Sequence, residues 1–164
     1  MTIVLPGCGY SLSGRGSFLP AYIKVIGVPM FTNSTPVFDV EKKITEHVIS
    51  EFIGRGKYKV DPTATAVDGL LTGDVSSITL TPAAFTTDRQ ATRYVLTLTA
   101  RIEFKDVKAN KVLWSNPAMQ FREEFDIATD VGDASAFLGQ DANALERVAT
   151  EFARTVVSAI LEAF

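Results

Sequence analysis

From Tyr94 to Phe104 the sequence alternates for eleven residues without a break. Tyr94, Leu96, Leu98, Ala100, Ile102 and Phe104 take one parity, and Val95, Thr97, Thr99, Arg101 and Glu103 take the other. Successive side chains of a strand point to opposite faces. Period two over this length therefore demands a strand with one face on a core. The rest of the chain must supply neighbouring strands and a cover for that apolar face.

Two segments at helical spacing can provide the cover. Val40, Ile44, Val48 and Phe52 recur every four residues, with Ile49 and Ile53 beside them. Glu41, Lys42, Thr45, Glu46 and Ser50 fill the other side, which makes the helix amphipathic. Asp39 is placed to cap its start, and Gly54 or Gly56 to end it in the left-handed conformation. Near the C-terminus Leu145, Val148, Ala149, Phe152, Val156, Ala159, Ile160 and Ala163 form a second stripe, after a cap at Asp141 or Asn143. Such stripes are core far more often than ligand sites.

The remaining strands are read from β-branched and aromatic runs between turn residues. Tyr22–Val28 is ended by Pro29, and Lys57–Val60 by Asp61-Pro62. Gly69–Leu80 departs from strict alternation, so Gly73 and the Ser76-Ser77 pair are read as a bulge. Asp106 to Lys111 is a polar turn in which Asn110 can turn left-handed. Val112 opens the last strand; Asn116-Pro117 interrupts it, and alternation resumes through Met119, Phe121, Glu123 and Phe125. Thr81 to Ala91 and Ile127 to Gln140 read as loops.

The order β-α-β-β-β-β-α predicts an α+β fold: a two-layer sandwich with a mixed sheet and two helices packed on one face. The first β-α-β unit should pair its strands in parallel, and the later strands should pair antiparallel. The open face would carry Thr97, Thr99, Arg101 and Glu103, either simply wet or as an interaction surface. One domain is expected over residues 21–164, preceded by a lead-in at 8–20 and the remnant of a signal segment at 1–7.

Catalytic chemistry is poorly supplied. The chain holds one cysteine, Cys8, and one histidine, His47, so neither an internal disulfide nor a multi-histidine metal site is possible. His47 falls on the polar flank of the first helix and reads as a solvated residue. The glycines near the start neither follow a strand nor open a helix, which excludes a phosphate loop. Glu123 and Glu124 are adjacent on a strand and point apart, so they cannot act as an acid/base pair. We expect no enzyme, no metal and no cofactor. The net charge of −3 gives no reason to bind nucleic acid.

That small net charge hides a segregation. Arg89 to Arg122 holds seven basic and two acidic residues; Glu123 to Phe164 holds two basic and nine acidic. A wet sheet face opposite a wet helix face would explain it, as would a basic middle meeting an anionic partner.

Leu5-Pro6-Gly7-Cys8 fits a bacterial lipobox, in which the cysteine thiol takes a diacylglyceryl group and becomes the mature N-terminus. Met1 to Leu5 resembles the tail of an apolar signal segment. Two acyl chains and a third on the amine exceed the two signals that stable anchoring needs.

Cys8-Gly9-Tyr10-Ser11-Leu12, Leu19-Pro20 before Ile23-Lys24-Val25-Ile26, and Pro29-Met30-Phe31-Thr32-Asn33-Ser34-Thr35 follow in an ordered series. Gln90-Ala91-Thr92-Arg93-Tyr94, Lys111-Val112-Leu113-Trp114 and Phe121-Arg122-Glu123-Glu124-Phe125 continue it. Together these resemble the LPS-assembly lipoprotein family (LptE) of Gram-negative outer membranes. The resemblance implies a sheet with two helices on one face. It also implies a non-catalytic lipoprotein on the periplasmic side of the outer membrane, anchored in the inner leaflet through Cys8. Members plug and help assemble the LptD β-barrel and bind lipopolysaccharide. Lipopolysaccharide is polyanionic, and Arg and Lys at hairpin ends suit its phosphates. Arg89 and Arg93 are expected near one hairpin end, and Lys105, Lys108 and Lys111 near the other, with the loop Thr86–Arg93 as the leading contact. Some relatives carry a further basic residue before the last helix, whereas 123–146 holds no Lys or Arg here. Other outer-membrane lipoproteins, acting in secretion-channel assembly or as activators of a cell-wall synthase, are the alternative. A periplasmic enzyme using Cys8 and His47 is a third reading.

Overall fold

The computed structural model describes residues 19–85, 87, 91–126 and 133–163. These form strands β1 (Val25–Gly27) and β2 (Thr32–Asn33), helix α1 (Val40–Gly54), and strands β3 (Lys59–Asp61), β4 (Gly69–Phe85), β5 (Ala91–Asp106) and β6 (Lys111–Asp126). Helices α2 (Ala134–Gln140) and α3 (Ala142–Leu161) complete the chain. The alternating segment is the centre of β5. Each even-numbered residue from Tyr94 to Asp106 is buried, and each odd-numbered one is exposed or half-buried.

The strands form one mixed sheet in the order β3-β1-β4-β5-β6, with β2 pairing β4 beside that path. The first β-α-β unit is parallel as expected, Val25 lying opposite Lys59. β4, β5 and β6 make an antiparallel meander. β4 does not pair with β3, however, because β1 inserts between them and runs parallel to both. Burial gives the reason: Ile26 and Gly27 are buried, whereas Lys59 is exposed and suits an edge.

α1 and α3 lie side by side and run the same way, since Lys43 reaches Glu146 and Arg55 reaches Ser158. Their apolar stripes bury Val40, Ile44, Val48 and Phe52 against Val148, Phe152, Val156 and Ile160 over the even-numbered face of β5. Phe52, Phe104 and Phe152 are fully buried, each stabilising the fold by about 1.5–3 kcal/mol through burial.

Several local expectations change. Asp39 sits before α1 in the left-handed region (φ 61°) and makes no side-chain cap. Gly56 (φ 70°) supplies the left-handed stop, and Asn110 (φ 52°) the turn between β5 and β6. The bulge falls between Val75 and Ser77, as expected for the serine pair. Gly73 plays a different part: a Cβ there would lie 2.3 Å from the buried Phe31 ring. β4 continues to Phe85 rather than ending at Leu80, because the ladder to β5 needs no apolar pattern on its outer reach. Asn116-Pro117 shifts the register of β6 without interrupting it. The segment expected as a loop over 127–140 contains a short helix, α2. Its seven residues are too few to display a period. Asp133 caps it by accepting from the Ala136 N–H at 2.9 Å, and Phe137 packs edge-on against Phe125.

Candidate functional site

The strand register decides which basic residues meet. Gly69 lies opposite Asp106, and Asp106 opposite Lys111. The starts of β1, β3, β4 and β6 and the end of β5 therefore share one end of the sheet. Lys105, Lys108 and Lys111 collect there. Arg93 is twelve residues back along β5, roughly 40 Å away at the usual strand rise. The proposed lipopolysaccharide contacts thus form two groups at opposite ends of the meander, too far apart to hold one phosphate. Arg89 and Cys8 lie outside the described residues.

At the hairpin end Arg93 is half-exposed on the open face. Its Nε donates to Asp126 Oδ1 at 2.9 Å, and Nη1 stands 3.8 Å from Glu124 Oε2. The Asp126 carboxylate holds the guanidinium above its ordinary pKa, with Glu124 adding to the effect. An incoming phosphate would have to share Arg93 with these carboxylates.

At the other end Lys108 Nζ pairs with Asp68 Oδ1 at 2.7 Å and lies 5.6 Å from the centre of the Tyr22 ring. Asp68 is held well below the usual carboxylate range by Lys108 and by the backbone N–H groups of Lys24 and Val25. Asp106 is buried and accepts from the Tyr22 hydroxyl and the Ala109 N–H. Its carboxyl is lowered, first by Ala109 and then by Tyr22. These two aspartates tie the segment before β1 to the β5–β6 turn. The same end also gathers Lys24, Lys57 and Lys59, which the sequence reading did not single out. A shallow groove of about 640 Å³ runs there, floored by Leu19, Ile23 and Tyr58.

The open face between the two ends follows from the register. β4 places Thr72, Asp74, Ser77, Thr79 and Thr81 there, opposite Glu103, Arg101, Thr99, Thr97 and Val95. β6 adds Gln120, Arg122 and Glu124. The face is hydroxyl-rich and carries both signs of charge, and no helix of this chain among the described residues covers it.

His47 is not the solvated residue that its helical position suggested. Its Nε2 lies 2.8 Å from Glu146 Oε1 across the α1–α3 interface, with Thr150 Oγ1 3.4 Å from Nδ1. Lys43 Nζ reaches the other Glu146 oxygen at 3.0 Å. Both partners lower the Glu146 carboxyl, Lys43 more than His47. The histidine clamps two helices. Glu123 and Glu124 do point apart: Glu123 meets Arg147 of α3 at 3.3 Å, whereas Glu124 faces Arg93. Among the described residues no cluster of metal-ligating side chains occurs, and no helix is long and apolar enough to cross a membrane.

A family model described as lipopolysaccharide-assembly LptE matches residues 23–160. The chain belongs to this family. Its fold is similar to that of rare lipoprotein B from Shewanella oneidensis (14% identity, 84% of this chain and 93% of that one, TM-score 0.53). It is also similar to a PelC dodecamer subunit from Paraburkholderia phytofirmans (20% identity, 90% of each chain, TM-score 0.51). A third likeness is to the hypothetical protein CT253 from Chlamydia trachomatis (9% identity, 86% and 99%, TM-score 0.54). No curated protein matches the sequence. The LptE match leaves out Cys8 and spans β1 to nearly the end of α3, so it rests on the folded domain alone.

Proposed function

We propose that this LptE-family chain is an outer-membrane lipoprotein, anchored through Cys8 on the periplasmic side. In this reading it plugs and helps assemble an LptD-type β-barrel and binds lipopolysaccharide on its way to the cell surface. The observation that carries the reading is the family match across residues 23–160. The open face supports the plug: threonines, serine and paired charges suit a wet lumen, where an apolar face would not. In this reading the work is binding rather than catalysis, and His47 serves as an interhelical clamp.

For lipopolysaccharide the hairpin end is the better placed of the two groups. Arg93 offers a planar guanidinium suited to phosphate and is adjacent in sequence to the loop that carries Arg89. Glu124 and Asp126 pre-position that guanidinium.

A pull-down from membrane extract with the full-length chain tests the main reading. The LptD-type barrel should co-purify, and a stable chain that ignores the barrel of its own organism would overturn it. Cys8→Ser should lose the acyl mass and leave the membrane fraction. Arg89→Glu should weaken lipopolysaccharide capture in a salt-dependent way, and unchanged capture at low salt would remove Arg89 from the site.

A further inference from the structure

Six of the chain's eight lysines gather at one end of the sheet: Lys24, Lys57, Lys59, Lys105, Lys108 and Lys111. They come from segments far apart in sequence. Lys59 lies opposite Val25, and Ile26, Gly69, Asp106 and Lys111 follow one another across the strands. From β3 to β6 this rim spans four strand spacings, about 19 Å. The acids nearby are fewer than the cations: Asp68 pairs with Lys108 and Glu51 with Arg55, while Asp106 and Asp61 keep their charge, hydrogen-bonded to Tyr22 and Thr63. Glu162 at the end of α3 stands 4.0 Å from Arg55. The rim therefore keeps a positive excess in a chain of net charge −3.

Apolar side chains stand among the lysines. Tyr22, Ile53, Val107 and Val112 are each 41–55% exposed. Leu19 and Ile23 floor the groove between Lys24, Lys57 and Lys59. Lysines around exposed apolar groups are what a headgroup layer accepts: the stems and rings enter the boundary, and the ammonium groups stay with the phosphates.

We propose that this end of the sheet rests on anionic phospholipid headgroups, as a second, electrostatic contact with the bilayer. Two observations fix the occupant. The first is charge: the rim is built of lysines, mobile point charges suited to a diffuse anionic surface, whereas Arg93, suited to bidentate phosphate binding, stands at the far end. The second is where the chain joins the domain. Leu19 lines the groove, and Cys8 lies eleven residues upstream, a reach of at most about 40 Å. On the reading that Cys8 is the anchored residue, this end is the one held next to the bilayer. The contact would set the tilt of the domain, with the hairpin end pointing away from the headgroups.

Vesicle co-sedimentation of the full chain carrying Cys8→Ser tests the contact without the anchor. The protein should bind vesicles of phosphatidylcholine mixed with phosphatidylglycerol and not phosphatidylcholine alone, with binding falling as salt is raised. Lys24→Glu/Lys57→Glu/Lys59→Glu should lose about ten-fold or more of that binding. An equal change of net charge at Lys42→Glu/Arg122→Glu/Arg154→Glu should lose much less. Equal losses in the two triple variants, or equal binding to neutral vesicles, would overturn the proposal. Lipopolysaccharide capture is measured in parallel: loss of capture in the rim variant with vesicle binding intact would make the rim a lipopolysaccharide site instead. Failure of the barrel pull-down leaves these readouts unaffected, so the two readings fall separately.

Discussion

Gly73→Ala is expected to destabilise the domain although its backbone lies outside the left-handed region. Three atoms of the Phe31 ring would sit 2.3, 2.4 and 2.8 Å from the new Cβ. Carbon atoms pack comfortably at about 3.5–4.0 Å, so the ring must retreat by about 1 Å. It has little freedom to do so. Phe31 is buried, its N–H donates to Thr45 Oγ1 at 3.0 Å, and the next two residues are pinned to Asp74 and Val75 as β2. Overpacking of this kind costs about 1–3 kcal/mol, offset by about 0.5–1 kcal/mol from the lower chain entropy of alanine. The net loss should be about 1–2 kcal/mol, a fall in Tm of roughly 2–8 °C for a domain of this size. Urea and thermal unfolding of Gly73→Ala, Phe31→Leu and the double variant measure it. The double variant should lose less than the sum, with a coupling of about 0.5 kcal/mol or more. A Gly73→Ala protein as stable as wild type, or strict additivity, would refute the steric argument.

Two further outcomes are expected. Thr45→Val keeps the shape of a buried side chain but strips the Phe31 N–H of its acceptor and removes the bond to Glu41 O; it should cost about 1–3 kcal/mol in urea unfolding, and a neutral result would mean the N–H finds another partner. Glu146 has a carboxyl lowered by Lys43 and His47. Its contribution is therefore present above the ordinary carboxylate range and lost as pH falls through the lowered value. Glu146→Gln should lose less stability than wild type between neutral pH and about pH 3, and parallel acid profiles would deny the clamp that role.

The stretch from Pro29 to Thr35, inside the span of the family match, joins these residues. Phe31 fills the space above Gly73. Asn33 donates to Val37 O and to Glu41 Oε2, each at 2.8 Å, and accepts from the Thr35 N–H and hydroxyl. The motif thus builds the turn that leads from β2 into α1. Around the first turn of α1, Asn33 holds the Glu41 side chain and Thr45 donates back to the Glu41 carbonyl, while Asp39 caps no N–H group. In the same way Asp141 fulfils its expected role, accepting from the N–H groups of Asn143 and Ala144 at the start of α3.

Residue order alone encodes the elements whose burial is periodic. β5, α1 and α3 each bury a regular stripe, and that regularity is written in residue order. It also carried the family resemblance, since ordered motifs survive without coordinates. Whatever depends on register and on neighbours distant in sequence emerges only on folding. β1 took the place between β3 and β4 because its side chains tolerate burial on both faces. Gly73 was committed by a ring forty-two residues earlier. His47 became a clamp because Glu146 lies across from it. The basic residues were visible in the sequence, and the length of the alternating strand already put Arg93 and Lys105 at opposite ends. Hydrogen-bonded register alone brought Lys24, Lys57 and Lys59 beside Lys105, Lys108 and Lys111. Charge is local in sequence, whereas the field it makes depends on distances that only the pairing of strands creates.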